Sequence, residues 1–163
     1  MATRSTIALE YADGTVDQIY CHWDGYLDHN GKILATHYMD PYKVRDLVDM
    51  GDVSSLGEEI GEKRPFCPAY NEQDPVKRAA VQAEIDAADK AGWTIFYARD
   101  RGETCPARKF KDYADYVANH QYEEYEYILR NVGGTATWFV DDHGRGYVPL
   151  LEAMTLQEEE VAE

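Results

Sequence analysis

An Asp-Gly pair between two alternating segments near the N-terminus constrains the fold more than any other feature of the sequence. The segments TIALEY and TVDQIYCHW lie on either side of Asp13 and Gly14. Asp-Gly in that setting is a strong signal for a β-hairpin with a two-residue type I′ turn. With that turn, Ile7 faces Tyr20, and apolar side chains lie on both faces of the hairpin. The sequence therefore predicts a hairpin that is at least partly covered on each side.

Two helices are marked at both ends by residues that begin and end helices. Each has Asp at the N-cap, Pro at the first helical position and Gly near the end: Asp40-Pro41 with Gly51, and Asp74-Pro75 with Gly92. In the second helix, the apolar spacing predicts an inward face made of Val76, Ala80, Ile85 and Ala88.

Weaker signals complete the predicted order of elements. Apolar periodicity indicates strands at residues 93–98, 125–130 and 135–140, short helices at 31–38 and 109–118, and a final helix from Pro149. Residues 53–73, which Gly and Pro interrupt, are predicted as a surface loop. Because steady βα alternation is lacking, we expect an α+β fold with a mainly antiparallel sheet, an N-terminal β-hairpin and several packed helices.

The length of 163 residues predicts one compact domain, residues 1–163, whose C-terminal helix at 150–163 frays into an acidic end. The sequence starts without an apolar run of signal-peptide type, and it has no run of about 18 apolar residues that could span a membrane. Its three cysteines, Cys21, Cys67 and Cys105, form no C-x-x-C pattern. We therefore expect a cytosolic protein with reduced thiols, no structural zinc and no cofactor.

The chain is strongly acidic, with 31 acidic and 16 basic residues and a formal net charge of −15. Such a surface repels phosphate backbones and membrane headgroups, so we expect neither direct nucleic-acid binding nor membrane binding. The same charge attracts basic grooves on other proteins. Alternatively, the acidity only keeps the protein soluble.

Most of the excess negative charge lies in the last third of the chain, and this region supplies the candidate partner-binding residues. Glu124 and Glu126 alternate with Tyr125 and Tyr127 along a predicted strand, so the acids are expected in a row opposite the rings, about 7 Å apart. The candidate residues are Glu123, Glu124, Glu126, Asp141, Asp142, Glu158, Glu159 and Glu160.

The segment IYCHWDGY, at residues 19–26, offers a second candidate site. His22, Asp24 and His37 match the residue types of a two-His, one-carboxylate iron site, but an isolated His-x-Asp is common by chance, so no metal is expected. Cys21 and His22 are neighbours on a strand and point to opposite faces, which argues against a nucleophile and its base.

A structural reading of this segment is favoured, with Trp23 in the core and Asp24-Gly25 in a turn. A ligand pocket remains the alternative. Its candidate residues are His22, Trp23, Asp24, Tyr26, His37, Arg99 and Arg101.

Three stretches, TRSTIALEYADGTVDQIYCHWDGY, GKILATHYMDPYKVRDLVDMGDVSSLGEEIG and YARDRGE, carry a family resemblance over roughly residues 3–130. The sequence resembles a family of small, functionally uncharacterised proteins of tailed bacteriophages and prophages. The resemblance implies a viral accessory protein in the host cytoplasm and transfers no activity.

Two classes of function follow as hypotheses. The first is a phage protein that binds and inhibits a host nucleic-acid-acting defence protein, presenting a DNA-mimic-like acidic surface to its basic groove. The alternative is a small-molecule-binding or nucleotide-binding protein, or an enzyme, with a pocket around His22 and His37. Pairing of tyrosine-rich strands in a homodimer also stays open.

Overall fold

The computed structural model describes residues 2–162, with side chains for residues 2–160; Glu163, predicted to end the acidic helix, lies outside the described residues. Within that part of the chain, eight strands are present: β1 (Ser5–Glu10), β2 (Val16–Cys21), β3 (Val53–Ser55), β4 (Ile95–Phe96), β5 (Arg108–Phe110), β6 (Tyr125–Val132), β7 (Thr135–Asp142) and β8 (Tyr147–Pro149). The same residues form six α-helices: α1 (Lys32–His37), α2 (Pro41–Asp49), α3 (Pro75–Lys90), α4 (Tyr97–Arg101), α5 (Tyr113–Asn119) and α6 (Leu150–Ala162). A π-helical turn, Leu27–Gly31, leads into α1, and a 3₁₀ turn, Ala69–Asn71, precedes α3.

The strands form one mixed sheet in the order β4-β3-β2-β1-β6-β7-β8, with β5 also paired to β2. The β1/β6 and β2/β3 pairs are parallel, and the other pairs are antiparallel. This arrangement confirms the predicted α+β class, with a mainly antiparallel sheet and an N-terminal hairpin. None of the helices within residues 2–162 is both long and apolar enough to cross a membrane.

Both faces of the hairpin are covered, as predicted. One face contributes Ile7 and Ile19 to the larger core, into which α1, α2 and α6 also place buried side chains. The other face contributes Ala8 and Val16 to a smaller core that includes Tyr116 of α5. The apolar side chains on both faces of β1 and β2 therefore serve two separate cores.

The register of the hairpin differs from the prediction by one residue. Ile7 lies opposite Ile19 instead of Tyr20. The Tyr11 N–H donates to the Thr15 carbonyl (2.8 Å), which leaves a three-residue loop at 12–14. Its last residue, Gly14, takes a left-handed conformation (φ +92°). The two-residue turn is therefore wrong, although the Asp-Gly signal placed the hairpin correctly.

The Asp-Pro signals placed α2 and α3 correctly, since each Asp side chain accepts backbone N–H bonds from the first helical turn. The predicted inward face of α3 is largely wrong. Val76 is 80% exposed and Ala80 is also exposed, whereas Ala88 is buried. Alanine spacing alone cannot decide which side of a helix is covered.

Three further predictions are corrected. The predicted loop at 53–73 begins with β3, a strand inside the sheet whose three residues are too few to show a periodicity. The predicted strand at 93–98 is shortened to Ile95–Phe96, and α4 begins at Tyr97. The helix predicted at 109–118 begins only at Tyr113, after β5.

Candidate functional site

The Cys-His-Trp-Asp-Gly segment forms a packed junction at the end of β2. Asn30 Nδ2 donates to the buried Cys21 Sγ (3.3 Å) and to Ser5 Oγ (3.2 Å). Gly25 lies against the chain before β1: its N–H donates to the Thr3 carbonyl (2.8 Å), and a Cβ there would approach Ser5 Cβ to 2.6 Å. The buried positions of this segment therefore have a packing role.

Cys21 and His22 have different surroundings. Burial raises the pKa of the Cys21 thiol to about 11, so the thiol is protonated at neutral pH and is a poor nucleophile. The His22 ring instead contacts Tyr20, with Nδ1 2.7 Å from the Tyr20 hydroxyl oxygen. The geometry offers no pairing of this thiol with the neighbouring imidazole.

Trp23 is 44% exposed, so its predicted place in the core is wrong. The strand ends at Cys21, and Asp24 takes a left-handed backbone conformation (φ +57°) that turns the chain. The indole packs edge-on against His22, with ring centroids 4.7 Å apart. Trp23 and Tyr26 therefore both belong to the surface.

The other residues of the predicted pocket belong to separate local groups. His37 lies beside Glu58, with 3.7 Å between Nε2 and Oε1. Arg99 is held by Asp100 and by two backbone carbonyls. Arg101 stacks over Phe66, 4.3 Å from the ring centroid. These contacts do not assemble a pocket around His22.

No three His, Cys, Asp or Glu side chains come together as metal ligands within the described residues. We expect the purified protein to contain no stoichiometric transition metal, and chelators to leave its melting temperature unchanged. Elemental analysis and thermal unfolding test this. One equivalent of iron or zinc that is lost in His22→Ala would contradict it.

Two of the eight candidate acids, Glu126 and Asp141, are buried, and the predicted row along β6 is not formed. Glu126 of β6 lies opposite Asp141 of β7. Strand alternation places Glu126 on the same face as Ile128, which packs with Tyr116 of α5 in the smaller core. Asp142 lies on the other face of β7. The acids therefore do not form one line.

Glu126 instead belongs to a buried polar network that the sequence did not reveal. His120 Nε2 lies 2.8 Å from Glu126 Oε2, and the Tyr147 hydroxyl donates to the same oxygen (3.1 Å). The Tyr116 and Tyr147 hydroxyl oxygens are 2.8 Å apart. Glu126 Oε1 accepts the Glu123 N–H (3.2 Å). The network connects α5, β6 and β8.

This network perturbs its titratable members in a consistent direction. Burial alone lowers the pKa of His120, but the hydrogen bond and charge of Glu126, with two backbone carbonyls, raise it above the usual histidine value. Burial, together with the neighbouring Tyr116 and Glu126, strongly raises the pKa of Tyr147. Burial also raises the pKa of Tyr116. Tyr116 and Tyr147 therefore stay protonated and act as hydrogen-bond donors.

Other acids of the predicted set lie around a groove between α6 and the β7–β8 turn, with a volume of about 380 Å³. Charged side chains from Asp142, Arg145 and Glu160 line it together with apolar groups from Leu27, Tyr125, Val148, Ala153 and Leu156. We call it the acidic groove. Asp28 lies beside the groove, since its carboxylate accepts a hydrogen bond from the lining residue Gln157 (3.5 Å). Burial, together with the charges of Asp142, Glu124 and Asp28, raises the pKa of Tyr125, which also lines the groove.

The remaining acids of the set are placed as follows. Glu123 is half-buried and accepts a hydrogen bond from the Gln121 side chain (2.9 Å). Glu158 and Glu159 are exposed on α6, next to Glu160.

Comparison of the chain with protein-family models, curated proteins and solved structures yields no match. The candidate site therefore depends on geometry alone.

Proposed function

We propose that the protein is a binding protein that accepts a basic segment of another protein in the acidic groove. The observation that carries this proposal is the lining of the groove, where carboxylates adjoin an apolar surface. Lys and Arg side chains match such a site, because their aliphatic stems pack on apolar groups while their charged ends reach carboxylates.

The charges around the groove favour a cation. Asp142 and Glu160 line it, Asp28 and Glu124 lie near Tyr125, and Arg145 is the one basic residue among the lining residues. Arg145 is 3.7 Å from Asp142 and its side chain is 77% exposed. An exposed ion pair of this kind is worth little, so an incoming basic side chain can replace it.

The family resemblance suggests what the partner does. For a phage accessory protein, a fitting partner is a host defence protein that acts on nucleic acid, since its substrate groove must be basic. Occupation of that groove would exclude DNA or RNA. The buried positions of Glu126 and Asp141 limit the phosphate-like surface to the exposed acids, so the proposal requires charge complementarity rather than a copy of phosphate spacing.

The prediction that tests this proposal uses a triple variant, Glu124→Gln, Asp142→Asn and Glu160→Gln. It removes three charges and keeps the side-chain shapes. At about 0.3–1 kcal/mol per exposed charge, binding of a host partner captured from bacterial lysate should weaken roughly 5-fold to 150-fold. The salt dependence should also flatten.

A matched control carries Asp46→Asn, Glu84→Gln and Asp86→Asn, three exposed acids on α2 and α3. Titration calorimetry at low and high salt should show near-wild-type affinity for the control. Equal weakening in both triple variants would mean that only net charge matters, and unchanged affinity in the groove variant would contradict the proposed site.

A further inference from the structure

One edge of β7 is only partly covered. The last strand, β8, pairs with Phe139, Val140 and Asp141. It ends at Pro149, and the chain turns into α6 at Leu150. The first half of β7, from Thr135 to Trp138, therefore extends beyond the end of β8.

The hairpin between β6 and β7 determines which backbone groups face that edge. Gly133 and Gly134 both have positive φ values (+61° and +87°), as in a two-residue type I′ turn, and Val132 lies opposite Thr135. The pair that closes such a turn is hydrogen-bonded, and the pairs then alternate. Ala136 accordingly directs its N–H and C=O away from β6, toward the open edge.

An apolar groove of about 320 Å³ adjoins this edge. Its lining residues are Ala35, Met39, Thr135, Ala136, Thr137, Trp138, Pro149, Leu150 and Leu151, and none of them is charged. Met39 is 48% exposed and Leu151 is 69% exposed. We call this surface the neutral edge groove.

The absence of charge matters because the chain carries a net charge of −15. Two copies repel each other wherever their acidic surfaces face. Residues 131–140 contain no charged side chain. A second copy can therefore approach the neutral edge groove without bringing carboxylates into the centre of the contact, where interfaces are depleted of charge.

We propose that a second copy of this chain occupies the neutral edge groove. The two β7 edges pair antiparallel across a two-fold axis at Ala136, where each Ala136 N–H donates to the partner's Ala136 carbonyl. Such a contact is self-complementary, as an isologous interface requires. Because the axis is perpendicular to the sheet, Met39 and Leu151 lie on the same face of the extended sheet in both copies. The exposed Met39 and Leu151 side chains of one copy therefore lie across the contact from those of the other.

Two substitutions test this in the full-length protein. Leu151→Glu places a charge in the groove, and Ala136→Pro removes the outward N–H at an edge position where proline is tolerated. Sedimentation equilibrium should show a concentration-dependent wild-type dimer and at least about a tenfold higher dimer dissociation constant for each variant. Added salt should strengthen the dimer, because it screens acid repulsion.

Val76→Glu provides the matched control, because it adds the same charge at an exposed apolar position on α3. It should leave the dimer intact. A wild-type protein that stays monomeric at millimolar concentration, or a dimer that dissociates in Val76→Glu and persists in Leu151→Glu, would overturn the proposal. Melting temperatures would show whether Ala136→Pro folds, and Leu151→Glu tests the site independently.

Discussion

Replacement of Asp100 by Ala is expected to lower the free energy of unfolding by about 3–5 kcal/mol, the usual result of breaking a buried ion pair. The Asp100 side chain has no exposed surface. Its carboxylate accepts the N–H groups of Phe96 (2.7 Å) and Arg64 (3.0 Å), and it pairs with Arg99 Nε at 2.9 Å. The variant leaves these donors and a largely buried guanidinium without their acceptor.

The arrangement around Asp100 explains why the effect should be global. Arg99 also donates to the carbonyls of Ile60 (2.9 Å) and Thr94 (2.8 Å). The Arg99–Asp100 pair therefore connects the irregular segment after β3 to β4 and α4 through hydrogen bonds. Loss of the carboxylate releases this segment from the end of the sheet.

Glu103→Ala is the matched control for Asp100→Ala. Glu103 pairs with Arg101 at 2.7 Å, but its side chain is 47% exposed, so the loss should stay below about 1 kcal/mol. Urea unfolding at constant pH measures both variants. Asp100→Asn should fall between them, because it keeps the shape and removes the charge. Similar small losses in all three variants would show that the pair does not hold the segment.

Local signals in the sequence were enough to place the hairpin and the capped helices. Asp-Gly, Asp-Pro and Gly each act within a few residues, so their consequences can be read along the chain. The parallel pairing of β1 with β6 could not be read in that way, because it joins Ser5 to Tyr125. The short β3 and the exposed face of α3 were missed because both depend on distant contacts.

The candidate site shows the same division between local and distant information. Alternation correctly placed Glu126 and Tyr127 on opposite faces of β6, but it could not show that α5 covers the face of Glu126. His120 was missed because its partner Glu126 lies on β6, and the Tyr147 that shares Glu126 comes from β8. The i, i+4 spacing of Tyr116 and His120 was the only sequence signal of their contact.

The stability of the protein is expected to fall as pH rises above neutrality, through the titration of His120. His120 Nδ1 lies 2.7 Å from the Tyr116 carbonyl, and Nε2 lies 2.8 Å from Glu126. A carbonyl and a carboxylate both accept, so both ring nitrogens must carry protons, and the ring is an imidazolium. This geometry agrees with the raised pKa of His120.

The sign of the effect follows from proton binding. Because the pKa of His120 is higher in the folded state, the native protein holds more of this proton than the unfolded chain. The contribution is complete below the unfolded pKa of about 6.5 and is lost as pH rises through the folded pKa. It amounts to about 1.4 kcal/mol for each unit of pKa difference.

Glu126→Gln should destabilise the protein by about 3 kcal/mol near pH 6, because without its counter-charge the buried His120 gives up the proton that stabilises the native state. It should also remove the fall in stability above neutrality, since neutral His120 then prevails in both states. Urea unfolding from pH 6 to pH 9 tests both effects, and an NMR titration of His120 reports its pKa directly. His143→Gln is the control, because His143 pairs with Asp142 at an exposed site.

The His120–Glu126 pair should also affect partner binding in the acidic groove, because β8 connects the two. Tyr147, which donates to Glu126, lies between Gly146 and Val148, two residues that line the groove. If the network positions β8, Glu126→Gln should weaken partner binding although Glu126 itself is buried and cannot touch the partner. Unchanged partner affinity in a destabilised Glu126→Gln protein would show that the network supports the fold alone and leaves the groove in place.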